Sequence, residues 1–213
     1  MRKLERGFDL LAPHYLWMER VLAGSVLQSC RTKHLPAIAN SRQILLLGEG
    51  AGRFLSEVIR ASPTAEVTCV DSSAGMLRQA RRVSPEGAHL TFVHADVFKH
   101  EFGTEKHDAV ATHFFLDCFA PDQLQQLVSR IVRALKPGGI WLLSDFRVPH
   151  SGPQRWRATV ILKVMYLFFR SVTALPACYL TNPDPYLEQS GLTLIKRHTA
   201  NFGLLHSDLW RKS

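Results

Sequence analysis

The chain has 213 residues, 46% of them hydrophobic and 21% charged, with a formal net charge of +8. That length suits one domain with a substantial buried core, and no internal repeat or low-complexity segment interrupts it. A positive balance admits nucleic acid, an anionic membrane or an acidic substrate as partner. However, Arg2, Lys3, Arg6, Arg78, Arg81, Arg82, Arg130 and Arg133 are scattered without interleaved aromatics, which reads as a solvated basic surface. Cys30, Cys69, Cys118 and Cys178 are isolated, with no CxxC pair and no histidine at ligand spacing. That argues against a metal site and a disulfide framework, and for a reducing, cytoplasmic setting. The basic N-terminus lacks the continuous apolar segment and cleavage site of a signal peptide.

Residues 1–40 read as a helical lead-in. Ile44–Leu47 is an apolar run expected to be a buried parallel strand, and Gly48, Gly50 and Gly52 then turn the chain into a helix. The dinucleotide fingerprint G-x-G-x-x-G would have its third glycine at Arg53, so a nicotinamide reading is disfavoured. A missing Tyr-x-x-x-Lys pair disfavours it further. Val67–Val70 is the second strand and closes on Asp71, placed to accept hydrogen bonds from both hydroxyls of a ribose. Leu90–Ala95 is the third, followed by Asp96 and Val97, where a carboxylate suits the exocyclic amine of adenine. Asp108–Phe115 is the fourth strand. A helix from about Pro121 to Leu135 and the turn Lys136-Pro137-Gly138-Gly139 lead to a fifth, Ile140–Phe146. Pro153–Leu175 reads as an apolar helix, and Leu192–His198 and Gly203–Arg211 as two strands separated by Thr199–Phe202. The alternation from 43 to 147 calls for a doubly wound α/β sheet.

Four motifs stand in order: Gly48-Glu49-Gly50-Ala51-Gly52; Val70-Asp71-Ser72-Ser73 with Met76-Leu77; Ala95-Asp96-Val97; and Leu135-Lys136-Pro137-Gly138-Gly139. This set resembles the class I S-adenosylmethionine-dependent methyltransferases, well over 40–147 and again from about 183 onward. The resemblance implies a seven-stranded, mostly parallel, Rossmann-like sheet with an antiparallel C-terminal hairpin. It also implies a single domain over 1–213 with a helical cap inserted at 150–182. S-adenosylmethionine would be the methyl source and S-adenosylhomocysteine the product. Gly48, Gly50 and Gly52 would pass under the methionine part, and Asp71, with Ser72 beside it, would take the ribose hydroxyls. Met76 and Val97 would flank the adenine, with Asp96 at its amine. Glu49 would meet the ammonium through water, or pair with Arg53. Tyr15, in a lead-in similar to that of small-molecule methyltransferases, and Arg31 would reach the methionyl carboxylate.

His113, at the end of the fourth strand, is the candidate general base and also borders the donor site. Asp117 would orient its imidazole, touch substrate or begin a helical turn, and His150 is a further candidate base. Asn182-Pro183-Asp184-Pro185-Tyr186 looks like the Asn-Pro-Pro-Tyr motif of amino-group methyltransferases. It follows the fifth strand instead of the fourth and reads as a helix start. A cap lined by Trp156, Met165, Phe168 or Phe169 suits a hydrophobic or aromatic small-molecule acceptor, with transfer to oxygen first and to carbon second. An ordinary buried helix, a dimer contact and a helix lying in a membrane surface are the other readings of this segment, and the chain is read as monomer or homodimer. The alternatives are a non-catalytic cofactor-binding or regulatory protein and a nucleic-acid methyltransferase.

Overall fold

The computed structural model describes residues 25–85, 87–173, 177 and 179–213. Seven strands form one sheet in the order β3-β2-β1-β4-β5-β7-β6: β1 Gln43–Leu47, β2 Glu66–Asp71, β3 Leu90–His94, β4 His107–His113, β5 Leu135–Phe146, β6 Leu192–Ala200 and β7 Leu205–Lys212. The first five are parallel, and β7 runs antiparallel to both β5 and β6. The expected mostly parallel α/β sheet with its antiparallel terminal hairpin is therefore present. The helices are α1 Val26–Thr32, α2 Arg53–Ala61, α3 Ala74–Arg82, α4 Pro121–Ala134, α5 Gly152–Thr173 and α6 Asp184–Gln189.

The sheet is covered on both faces, which is why β1 is apolar at consecutive positions. Ile44 and Leu46 pack with Phe54, Leu55 and Val58 of α2. Leu45 and Leu47 join Leu124, Leu127 and Ile131 of α4 on the other side. Each such fully buried side chain contributes roughly 1.5–3 kcal/mol. The helix starts are specified locally. Ser73 caps α3 by accepting the Met76 N–H at 3.1 Å, while Pro121 occupies the first turn of α4 and Gln123 Oε1 accepts the Ala120 N–H at 3.2 Å.

The element ends differ from expectation for physical reasons. The fourth strand stops at His113, because Phe114 takes a left-handed φ of 53°. The fifth begins at Leu135, earlier than expected. Pairing steps from His107↔Leu135 to Ala109↔Ile140, five positions on β5 against two on β4, so Lys136–Gly139 bulges out within the strand. The hairpin turn lies two residues later than expected, since Asn201, Phe202 and Gly203 all adopt positive φ.

Asp184, in the motif look-alike, begins α6 and serves the structure. Arg197 of β6 donates to its carboxylate at 2.8 and 3.0 Å, and to the cross-strand Asp208 at 2.6 and 2.8 Å. His206 Nδ1 lies 2.8 Å from the same Asp208, which is fully buried. Burial alone would raise the Asp208 carboxyl, but the bonds from Arg197 and His206 hold it below its ordinary value.

Candidate active site

The order of strands reverses between β1 and β4, and ligands of open α/β sheets bind at that crevice, beyond the carboxyl ends of the strands. Here the glycine turn after β1 meets the end of β4. One cavity is lined by Arg31, Gly48, Glu49, Gly50, His113 and Phe114. Arg31 is buried, with its guanidinium over the Phe114 ring at 5.0 Å. Tyr15 lies outside the described residues.

The three glycines divide the work. All have positive φ, between 65° and 84°. A Cβ on Gly48 would sit 2.1 Å from the Phe115 ring, and one on Gly52 would sit 2.8 Å from the backbone of Ala80 in α3. Gly52 thus serves helix packing. A Cβ on Gly50 would meet nothing within 4 Å, so Gly50 presents bare backbone to open space.

Glu49 has a structural task that neither of its expected roles anticipates. Its Oε1 accepts the N–H groups of Phe54 and Leu55 at 2.8 and 2.9 Å, capping α2 from outside the usual N-cap position. Burial lifts this carboxyl from 4.5 to about 7, with the capping bonds and nearby Arg31 pulling the other way. A folded-state pKa above the unfolded one means stability that is complete below pH 4.5 and lost as pH rises through 7. Glu49→Gln keeps the acceptor oxygen without the charge. Relative to wild type it should gain roughly 2–3 kcal/mol between pH 4.5 and 8, read from urea midpoints at the two values. Parallel pH slopes would exclude Glu49 as the group responsible.

Asp71 ends β2, and its two oxygens accept the Gly50 N–H at 3.2 Å and the Ser73 N–H at 2.8 Å, tying the glycine turn to the start of α3. Ser72 beside it is half-buried and accepts from His94 Nε2 at 2.9 Å through its backbone carbonyl. Met76 and Val97 are buried, Val97 within the main core. Asp96 Oδ1 accepts the Phe98 N–H at 3.0 Å, whereas its buried Oδ2 has no hydrogen-bond partner among the described residues.

His113 is buried, edge-on to Phe54 with ring centroids 4.3 Å apart, and neither ring nitrogen has a partner among the described residues. Burial, reinforced by Arg31, drives its pKa well below the ordinary value, so the imidazole is neutral. Asp117 therefore does not orient it. Asp117 instead lies in a 3₁₀ turn, Leu116–Cys118, the third of its expected roles, and its partner is Asp145 at the end of β5. The Asp117 N–H donates to Asp145 Oδ2 at 3.2 Å, and the Tyr166 hydroxyl of α5 donates to the Asp117 carbonyl at 2.9 Å. Burial pushes the Asp117 carboxyl up to about 6. Asp145 is pushed well above the carboxylate range by burial and by the neighbouring Asp117. Asp145 was not anticipated, although it stands next to last in β5, much as Asp71 closes β2. His150 is exposed ahead of α5, its carbonyl accepting from Arg155 at 3.1 Å. In α5, Met165, Tyr166 and Phe169 face the protein, while Trp156 and Phe168 are exposed.

A methyltransferase-domain profile matches residues 44–139. An uncharacterized methyltransferase of Synechocystis sp. is 30% identical over 164 residues, 76% of this chain and 72% of that protein. The chain belongs to the class I S-adenosylmethionine-dependent methyltransferases. The ubiquinone/menaquinone biosynthesis C-methyltransferase UbiE of Syntrophotalea carbinolica is also 30% identical, over 67% of this chain and 60% of that protein, so the chain spans less than two thirds of its length. The 1,6-didemethyltoxoflavin-N1-methyltransferase of Burkholderia thailandensis, solved with S-adenosylhomocysteine bound, superposes with a TM-score of 0.65 at 18% identity. The match covers 95% of this chain and 87% of that one, and it shows the shared fold. The methyl source of this methyltransferase is S-adenosylmethionine. Its residues fit that group: Gly50 has open space beside its backbone, Asp71 offers a carboxylate that would suit ribose hydroxyls, and Asp96 has a buried oxygen, without a partner among the described residues, that would suit an amine.

Proposed function

We propose that this enzyme methylates a small, hydrophobic acceptor bearing an acidic hydroxyl on an aromatic or enolic carbon, at oxygen. The supporting observation is the buried Asp117–Asp145 pair at the ends of β4 and β5, beneath α5. S-adenosylmethionine supplies, when bound, an electrophilic methyl group on sulfur. The protein's part is to hold, align and dry the site, and to manage one proton. Gly50, Asp71 and Asp96 hold the nucleoside, and Arg31 and the neutral His113 border its amino-acid end. Alignment of this kind is worth roughly 7–11 kcal/mol. Met165, Tyr166 and Phe169 of α5 exclude water from the acceptor side. Burial and the neighbouring Asp117 charge keep the Asp145 carboxyl protonated, so that Asp117 is the one to ionise near neutrality. The ionised Asp117 takes the hydroxyl proton of the acceptor. Transfer to the ring carbon beside that hydroxyl is the second reading, supported by the likeness to a C-methyltransferase, and it needs the same deprotonation.

The reading is tested first by thermal shift, with S-adenosylhomocysteine against NAD and NADP. At 100 times its dissociation constant a ligand stabilises by about 2.7 kcal/mol. Labelled methyl transfer to a panel of hydroxylated aromatic acceptors follows, and no transfer to any of them would overturn the acceptor class. Asp117→Asn should lower kcat by roughly 10²–10⁴-fold with S-adenosylhomocysteine affinity intact. Wild-type kcat should fall as pH drops below about 6, and the variant should lack that acid limb. Wild-type turnover in this variant would remove Asp117 as the base.

A further inference from the structure

A solvent-exposed helix ordinarily carries a polar outer face. Helix α5 does not. Successive side chains on a helix are 100° apart, so residues spaced by three and four share a face. Ala158, Leu162, Met165, Tyr166 and Phe169 point into the protein, against Cys30, Leu204 and Leu205. The opposite, outward face carries Trp156 at 74% exposure, Val160 at 41%, Val164 at 64% and Leu167 at 73%. The exposed Lys163 and Arg170 run along one edge of this stripe, with Arg155 near its start. Phe202, 74% exposed in the β6–β7 turn, lies under the Arg157 guanidinium at 5.3 Å, and Arg157 also donates to Asn201 Oδ1 at 2.8 Å. This fastens the turn to α5 and widens the apolar surface.

The charge on this face has one sign. Helix α5 carries no Asp or Glu, while Arg155, Arg157, Lys163 and Arg170 lie on it. We propose that the outer face of α5 is a docking surface for an anionic membrane. The helix lies in the plane of the bilayer, its Trp156–Leu167 stripe at the boundary of the acyl chains and its basic edge against headgroup phosphates. Among the described residues no helix is long and apolar enough to cross a membrane, so the contact is peripheral. A second copy of the chain fits this face less well. A two-fold contact through α5 would crowd Lys163 and Arg170 toward their own copies, with no carboxylate on the helix to offset them. The inference does not depend on which acceptor is methylated.

Flotation of the full chain with vesicles tests it. The protein should float with phosphatidylcholine–phosphatidylglycerol vesicles and stay behind with phosphatidylcholine alone. Val164→Glu with Leu167→Glu should abolish flotation while S-adenosylhomocysteine affinity, measured by calorimetry, is unchanged and reports an intact fold. Lys163→Gln and Arg170→Gln should each weaken partitioning about fivefold, from about 1 kcal/mol per basic residue. Failure to float with the anionic vesicles, or flotation that survives the two glutamates, overturns the proposal. A wild-type dimer in sedimentation that the glutamates split into monomers would also overturn it and assign the face to a second copy.

Discussion

Asp71→Ala is expected to weaken S-adenosylhomocysteine binding by roughly 10–150-fold. A hydrogen bond to a charged acceptor is worth about 1.5–3 kcal/mol, and each 1.4 kcal/mol is tenfold in affinity. The same carboxylate accepts the Gly50 and Ser73 N–H groups, so its removal also loosens the turn that presents open backbone to the ligand. A comparison with the 2′-deoxy analogue separates the two contributions. Wild type should prefer the full ribose, and Asp71→Ala should lose that preference as well as affinity. Calorimetry that finds the preference retained would leave Asp71 as a loop fastener and take it out of the ribose site.

The second large effect concerns the fold. Arg197→Leu leaves Asp208 fully buried without the guanidinium that offsets its charge, and leaves Asp184 of α6 with only the longer pair to Arg147 at 3.9 Å. Breaking a buried pair in this way costs about 3–5 kcal/mol. For a chain of this size the melting temperature should fall by about 10 °C. Adding Asp208→Asn should recover part of the loss, because the stranded charge is then gone. A single variant within 1–2 °C of wild type would mean that water reaches Asp208 and that the network contributes little. The lowered Asp208 pKa adds a pH signature: its stabilisation is present above pH 3.8 and is lost as pH falls through the folded value. That loss at acid pH should be absent from the double variant.

What was legible in the sequence depended on neighbours along the chain. Ile44–Leu47 reads as a strand because both of its faces are apolar. Gly48 and Gly50 read as a turn because only glycine takes those backbone angles without strain, and Asp71 and Asp96 read as strand-end carboxylates by their place after an apolar run. The helix at 153–175 was legible too, but its outward face was not. Apolar residues on every side leave no periodicity from which to choose one, and only packing against Leu204 and Leu205 turned Trp156 and Phe168 outward.

Gly52 illustrates the same limit. It lies in the motif with Gly50, yet its missing Cβ makes room for Ala80, 28 positions away. Spacing also allowed Asp117 to orient His113, four residues earlier, to touch substrate or to begin a helical turn. The parallel pairing of β4 with β5 instead brings Asp117 to Asp145, 28 residues on, while His113 turns against Phe54. The sequence by itself therefore determined the strand–helix alternation, the glycine turn and the strand-end carboxylates Asp71 and Asp96, because each follows from backbone preference and hydrophobic pattern within a few residues. Tertiary structure alone decided which carboxyls lie together and which face of α5 meets solvent, because strand neighbours and helix facing are settled by burial between segments distant in the chain.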